Sequence, residues 1–447
     1  MQTLLLRAVL LLLIISPVSY GQVQYDSTDS CIVIAKQFVE YMSRQEFENA
    51  TEHFDATMKK VATPDKLRLL WESLVAKLGP YKKWTDIRKE KYGNYDFVFV
   101  TLEFEKSPID FKIVFNRSRE IAGHWIVSTQ SKSKYLPPDY SRLNRFTETE
   151  VVIGEGEWKL PGTLSIPKGE GLFPAVILIH GSGPNDRDET IGPNKVFRDL
   201  AYGLASRQIA VLRYEKRTRQ YSKKLMAIRE RLTVKEETID DAIAAVHFLR
   251  NHERIDPKRI FVIGHSLGGM LIPRIAKQDT SIAGFIIMAG PTQPLEDSFI
   301  RQVLYISSFK KNLTDEEKDR IDRIKEEVAQ IKSLMPSDTS RIKKPLLGAM
   351  VKYWIDLKGY DPAKEAFKIK KPLLILQGER DYQVTMNDFN RWKKILSNRE
   401  NVTFKSYQNL NHLFMPGRSK SKPSEYNTPN HVAKEIINDI SEWIKNH

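Results

Sequence analysis

The chain reads as an α/β protein, a mostly parallel sheet covered by helices on both faces, preceded by a small α+β domain. Three observations predict this. From Glu148 to the C-terminus, short and fully apolar runs alternate with segments of helical spacing, the mark of parallel strands buried on both faces. Between about residues 28 and 133 the order differs, with helical segments first and period-two strands afterwards. Between the two blocks, residues 134–147 (KYLPPDYSRLNRFT) carry neither rhythm and read as a linker.

The chain opens on MQTLLLRAVLLLLIISPVSYGQ. One Arg, an apolar core from Ala8 to Ile15, Pro17, and the small residues Ser19 and Gly21 form the pattern of an export signal over residues 1–21, cut near Gly21-Gln22. Arg7 and Pro17 shorten the apolar run below the roughly 20 residues that a spanning anchor needs, so a retained anchor is the lesser alternative. The single cysteine, Cys31, excludes an intramolecular disulfide. An exported chain without disulfides suits a bacterial periplasm or exterior. Thr28-Asp29-Ser30 is not the small, apolar run that precedes a lipid-modified cysteine.

In the first block, Ile32–Tyr41 and Phe47–Met58 carry helical apolar spacing, and Pro64 opens a third helix that Gly79-Pro80 stops. Tyr95–Phe104, Phe111–Phe115 and Gly123–Val127 then alternate as antiparallel strands with one buried face. The block has no clustered Ser/His/Asp set and no metal-ligand spacing, and His53 and His124 read as structural. In the second block the apolar strands are Phe173–Ile179, Ile209–Arg213, Arg259–Ile263, Gly284–Ala289 and Pro372–Leu376, with helices at Lys195–Ser206 and Thr233–Asn251. Residues 291–371 break this rhythm. They are rich in helix signals, including the capping box that runs from Thr314 to Glu317, and read as a helical lid over the strand ends. The net charge of +14 is spread along the chain in pairs such as Lys82-Lys83 and Lys370-Lys371. No basic, aromatic-interleaved nucleic-acid module stands out. Such a spread implies a solvated basic surface that attracts anions nonspecifically.

Chemistry concentrates at VIGHSLGGM, residues 262–270. Strand, G-x-S-x-G and helix together make Ser266 a candidate nucleophile on a sharp turn. Such a serine needs a base, an orienting acid and an oxyanion site, in the order nucleophile, acid, base. Three histidines follow it: His412, His431 and His447. His447 is terminal, and His431 falls in the expected last helix, His431–Lys445, where it would face solvent. His412 sits in a loop just after the strand Val402–Tyr407 and is the candidate base. Asp381, in the loop after Leu373–Leu376, is the candidate acid, with Glu379 beside it and Asp297 as lesser alternatives. The oxyanion donors expected are the N–H of Leu267 and that of Ser182, in the loop HGSGPNDRDE after an earlier strand. His180 reads as a brace of that loop. No ligand spacing calls for a metal or an organic cofactor.

HGSGPNDRDET (from His180), VLRYEKRT (from Val211), VIGHSLGGM, LQGERDYQV around Asp381 and LNHLFMPG around His412 together resemble the α/β-hydrolase superfamily. More narrowly they are similar to bacterial secreted serine esterases of the dienelactone-hydrolase-like branch. The resemblance spans roughly Glu148 to His447. It implies the α/β-hydrolase fold and an esterase with Ser266, Asp381 and His412 as its triad. The block before Lys134 resembles a cystatin-like domain of unknown function. The expected activity is hydrolysis of small-molecule, short-to-medium acyl esters through an acyl-enzyme. A serine peptidase or acyltransferase on the same fold is the second reading. A ligand-binding protein with the second block as scaffold is the third, and the complete candidate triad argues against it. Apolar residues of the insertion, such as Phe299, Tyr305, Met350 and Trp354, are expected to set acyl selectivity. The oligomeric state is left open.

Overall fold

A computed structural model describes residues 29–92, 95–128 and 135–447. The expected export signal lies outside the described residues, as does Lys134 at the start of the expected linker. One compact unit falls within Pro17–Lys132, and another includes Ser133–His447.

In the first unit, helix α1 (Ser30–Ser43) starts where the Asp29 side chain accepts the Cys31 N–H, an N-cap that satisfies a donor the helix cannot. It buries Cys31, Ala35, Phe38, Val39 and Met42, the i, i+4, i+7 stripe of one face. The helical spacing over Phe47–Met58 does not give one helix. A turn of helix at Phe47–Ala50 ends, Phe54 bridges to Ile121, and a new helix starts at Ala56 with Asp55 accepting the Met58 N–H at 2.8 Å. The cap at Asp55 restarts the helix at a point where periodicity alone reads straight through. Helix α2 (Pro64–Leu78) follows the expectation. The sheet is a four-strand meander: β1 (Tyr81–Tyr92), β2 (Tyr95–Phe104), β3 (Ile109–Phe115) and β4 (Ile121–Ser128). β1 was not expected, because YKKWTDIRKEKY is charge-rich and has no apolar alternation. As an edge strand it needs only one neighbour, β2, and charge is tolerated there.

The second unit is built on an eight-stranded sheet. Its strands are β5 (Phe146–Ile153), β6 (Leu160–Pro167), β7 (Phe173–Ile179), β8 (Ala210–Tyr214), β9 (Ile255–His265), β10 (Gly284–Met288), β11 (Leu373–Gly378) and β12 (Val402–Tyr407), in spatial order β12-β11-β10-β9-β7-β8-β6-β5. β7 to β12 run parallel, as expected. β6 and β5 add antiparallel pairings at one edge. The linker reading runs two residues into β5, whose sequence FTETEVVI lacks the unbroken apolar run of its neighbours.

Every residue of β7 is buried. Val176 and Leu178 join one apolar layer with Phe197, Val211 and Ile437, while Ala175, Ile177 and Ile179 join the other with Leu212, Val246 and Trp392. Period-two side-chain direction on a strand covered on both faces produces this division. Each fully buried Ile or Leu contributes about 1.5–3 kcal/mol of transfer free energy. The insertion is helical, with α-helices at Leu295–Ser307, Asp315–Ser333 and Val351–Leu357. The capping box closes as read from the sequence, with the Glu317 N–H donating to Thr314 and the Thr314 N–H to Glu317. Tyr305 of the insertion stacks on Tyr382 at 4.9 Å, just past the carboxyl end of β11. Among the described residues, no helix is long and apolar enough to cross a membrane.

Candidate active site

Ser266 lies between β9 and the helix Leu267–Gln278, at φ 52° and ψ −116°. That is left-handed backbone, which a residue with a Cβ enters at a cost of about 1–3 kcal/mol and which clusters at functional sites. The surroundings force the turn. The Ser266 N–H donates to the Met288 carbonyl at 2.9 Å. A Cβ at Gly264 would run into the Gly268 carbonyl, and one at Gly268 into the Ile179 carbonyl. Strand and helix therefore meet at backbone distance, and Ser266 takes up the bend.

His412 and Asp381 come together from the loops after β12 and β11. His412 Nδ1 is 2.6 Å from Asp381 Oδ2, and the two residues are 4 % and 5 % exposed. Asp381 Oδ1 accepts the N–H groups of Gln383 (2.7 Å) and Val384 (3.0 Å), and Gln377 Nε2 donates to Oδ2 at 3.2 Å. An ionised carboxylate can only accept, so facing it the His412 ring carries its proton on Nδ1, and Nε2 is then able to accept one. The His412 loop is held by Asn411, whose Oδ1 accepts the N–H groups of Leu413 and Met415.

The alternatives are engaged elsewhere. Glu379 is exposed and accepts from Ser406 Oγ at 2.8 Å. Asp297 pairs with Lys332 at 2.5 Å. His447 bonds the Trp443 carbonyl. His431 departs from the expectation of a solvent-facing helical residue. The last helix starts at Lys434, and His431 sits before it, part-buried, with Nδ1 3.1 Å from Asp199. A buried carboxylate, which also takes the Val432 N–H, draws it inward.

Leu267 is the first residue of its helix, so its N–H has no intrahelical acceptor and lies at the positive end of the helix dipole. The N–H groups of Leu267 and Ser182 have no hydrogen-bond partner among the described residues. The Gly181–Ser182 peptide is clamped from its other side. Lys216 Nζ donates to the Gly181 carbonyl at 2.8 Å, and Asn185 Nδ2 to the same oxygen at 3.2 Å. In a trans peptide the C=O and N–H point in opposite directions, so fixing the carbonyl fixes the direction of the Ser182 N–H. Lys216 is 2 % exposed. Its charge is met by Glu237 at 2.6 Å, which also accepts from Tyr353 of the insertion. A π-turn over Lys235–Ile239 carries Glu237, an irregularity frequent at functional sites. His180 braces the loop as expected: Nε2 is 3.0 Å from the Asp186 carbonyl. Burial lowers its pKa to about 4 and keeps it neutral.

Sequence reasoning missed Lys216 and Glu237 beside this site. For Lys216 the available signal was a charge placed directly after an apolar strand, in VLRYEK. Among the described residues, no group of His, Cys, Asp and Glu is arranged to hold a metal ion.

The serine aminopeptidase, S33, family profile matches residues 175–416, more than half of the chain. Residues 35–123 match a family described as a protein of unknown function, DUF3887. Esterase EstD of Thermotoga maritima is 38% identical over 408 residues, covering 91% of this chain and 93% of that protein. Among solved structures, an esterase of Pyrococcus furiosus is 19% identical over 67% of this chain and 91% of its own, with a TM-score of 0.42. Est1E of Butyrivibrio proteoclasticus is 15% identical over 66% of this chain and 98% of its own, with a TM-score of 0.43.

Proposed function

The chain belongs to the serine aminopeptidase, S33, family, and on that premise we propose that it hydrolyses carboxylic esters through an acyl-enzyme on Ser266. The observation that carries this reading is the pairing of His412 with Asp381 at 2.6 Å, in loops at the same carboxyl end of the parallel strands as a serine held in a strained elbow. The similarity to an esterase along nearly the whole chain supports the substrate class.

In this mechanism Ser266 Oγ attacks the ester carbonyl while His412 Nε2 takes its proton. Asp381 stabilises the imidazolium that forms. The N–H groups of Leu267 and Ser182 receive the negative oxygen of the tetrahedral intermediate. His412 then returns the proton to the leaving alkoxide, and the alcohol departs. Water, deprotonated by the same nitrogen, attacks the acyl carbon, and the carboxylic acid leaves with Ser266 reprotonated. Every step is proton transfer or acyl transfer, so none calls for a cofactor.

The family's description favours a second reading, a peptidase, and an acyltransferase uses the same intermediate with an alcohol in place of water. A panel of p-nitrophenyl esters from acetyl to octanoyl, with aminoacyl p-nitroanilides and an added alcohol acceptor, separates them. The ester reading requires turnover of the short-to-medium esters to exceed that of the anilides. Preferential anilide cleavage or transfer to the alcohol would replace it. We further read residues 1–21 as an export signal. N-terminal sequencing of periplasmic protein is expected to begin near Gln22, and a cytoplasmic chain that keeps Met1 would contradict this.

A further inference from the structure

Glu189 sits in the loop after β7 in left-handed backbone, at φ 47°, and is 1 % exposed. One carboxylate oxygen accepts the Gly181 N–H at 2.7 Å. The other lies 2.8 Å from Nδ1 of His265, the residue just before Ser266. His265 Nε2 is 3.0 Å from the backbone carbonyl of His412. A carbonyl can only accept, and so can an ionised carboxylate, so with Glu189 ionised both ring nitrogens of His265 carry protons and the ring is a cation. Burial by itself would remove that charge, but the adjacent Glu189 carboxylate and the His412 carbonyl hold the imidazole pKa above its ordinary value. Burial likewise opposes the Glu189 charge, and His265 overrules it.

The connections reach all three parts of the site. Gly181 precedes Ser182, His265 precedes Ser266, and His412 is the base. We propose that the Glu189–His265 ion pair is a positioning element that sets the nucleophile, the base loop and the oxyanion loop in mutual register. This inference rests on the serine-hydrolase reading of Ser266 and His412.

Two further features fit such a bridge. A Cβ at Gly181 would stand 3.2 Å from both Glu189 Oε1 and Ser266 Cβ, so a side chain there would press the carboxylate and the serine apart. The His265 and His412 rings are 4.8 Å apart. His412 must become a cation during turnover, and an uncompensated cation beside it would oppose that change. Glu189 neutralises His265 where it stands. His180 also faces Glu189, and Asp381 faces His265 from behind His412; Lys216 and Asp186 in turn face His180.

The test combines kinetics and spectroscopy on the full chain. E189Q keeps an acceptor for Gly181 but removes the charge, and H265Q keeps the size and removes the cation. In both, kcat for p-nitrophenyl acetate is expected to fall about 10²-fold, the scale set by a misplacement of about 1 Å, with KM within about twofold. The E189Q/H265Q double variant is expected to lose little more than either single one, because the two act as a unit. In ¹⁵N-histidine spectra of the parent at pH 7.5, the signal that H265Q removes should carry protons on both ring nitrogens. E189D, which keeps the charge, should recover part of kcat. An unchanged kcat in E189Q, a loss confined to KM, or a neutral His265 in the parent would overturn the bridge. The protonation state is read on the parent itself, so its outcome holds even where a variant loses activity or folds poorly. An organophosphonate that labels the parent but not Ser266→Ala keeps the serine-hydrolase reading intact whichever way the bridge is decided. Failure to label the parent sinks both.

Discussion

At the residue scale, the proposed function rests on a few side chains in costly places. Ser266 is held in left-handed backbone, and Lys216 is buried with Glu237 to meet its charge. Asp381 orients His412 through one oxygen and is itself fixed through both. Ser266→Ala is expected to abolish turnover and leave only the rate that the oxyanion site and binding supply, about 10³–10⁴ over water. Asp381→Asn is expected to lower kcat about 10⁴-fold by presenting the wrong tautomer of His412, which steady-state kinetics with unchanged circular dichroism would establish. Lys216→Met tests the clamp on the Gly181–Ser182 peptide. It frees the carbonyl that orients the Ser182 donor, and losing one oxyanion donor costs about 10²–10³ in kcat. It also leaves Glu237 buried and unpaired, a loss of about 3–5 kcal/mol, so kcat and the urea midpoint should fall together. A variant with normal kcat would show that Lys216 does not orient the donor.

At the scale of elements, the contrast between legible and illegible parts has physical causes. β7 and the Ile260–Ile263 part of β9 were legible because strands covered on both faces must be continuously apolar. β1 and β5 were not, because edge strands keep their place through a single neighbour and need no such run. The break between Ala50 and Ala56 was hidden because a cap, Asp55, outweighs periodicity that continues across it. The triad candidates were legible from loop positions after strands, whereas Glu189 and Lys216 act through backbone groups, which leave no spacing rule in the sequence. The insertion carries its own prediction. Trp354 and Met350 are buried, and Trp354 Nε1 donates to the Leu346 carbonyl, so they hold the insertion together. Phe299 and Tyr305 are only partly buried. Truncating these two to Ala is expected to shift the preferred acyl length, since one methylene in an apolar pocket is worth about 1–3 kcal/mol. An unchanged kcat/KM profile from acetyl to octanoyl esters would remove the insertion as the selectivity element.

At the scale of the whole molecule, the two units answer to different tests. His124 in the first unit is surrounded by Phe38, Phe54 and Phe111, and its Nε2 has no partner among the described residues. Burial depresses its pKa to about 4, so the folded unit keeps it neutral where the unfolded chain, with an ordinary value of about 6.5, takes up a proton. The stability of this unit is therefore expected to fall as pH drops from about 6.5 toward 4. His124→Phe should flatten that part of the curve in urea melts followed by circular dichroism, and identical pH slopes for parent and variant would contradict the assignment.

The second unit stands or falls on its nucleophile. Intact-mass and peptide mapping after treatment of the full chain with an organophosphonate tests this most directly. One adduct per chain is expected, on the peptide containing Ser266, with loss of p-nitrophenyl ester turnover in proportion to labelling and no adduct in Ser266→Ala. An adduct on another residue, or full turnover retained by a chain labelled at Ser266, would contradict it.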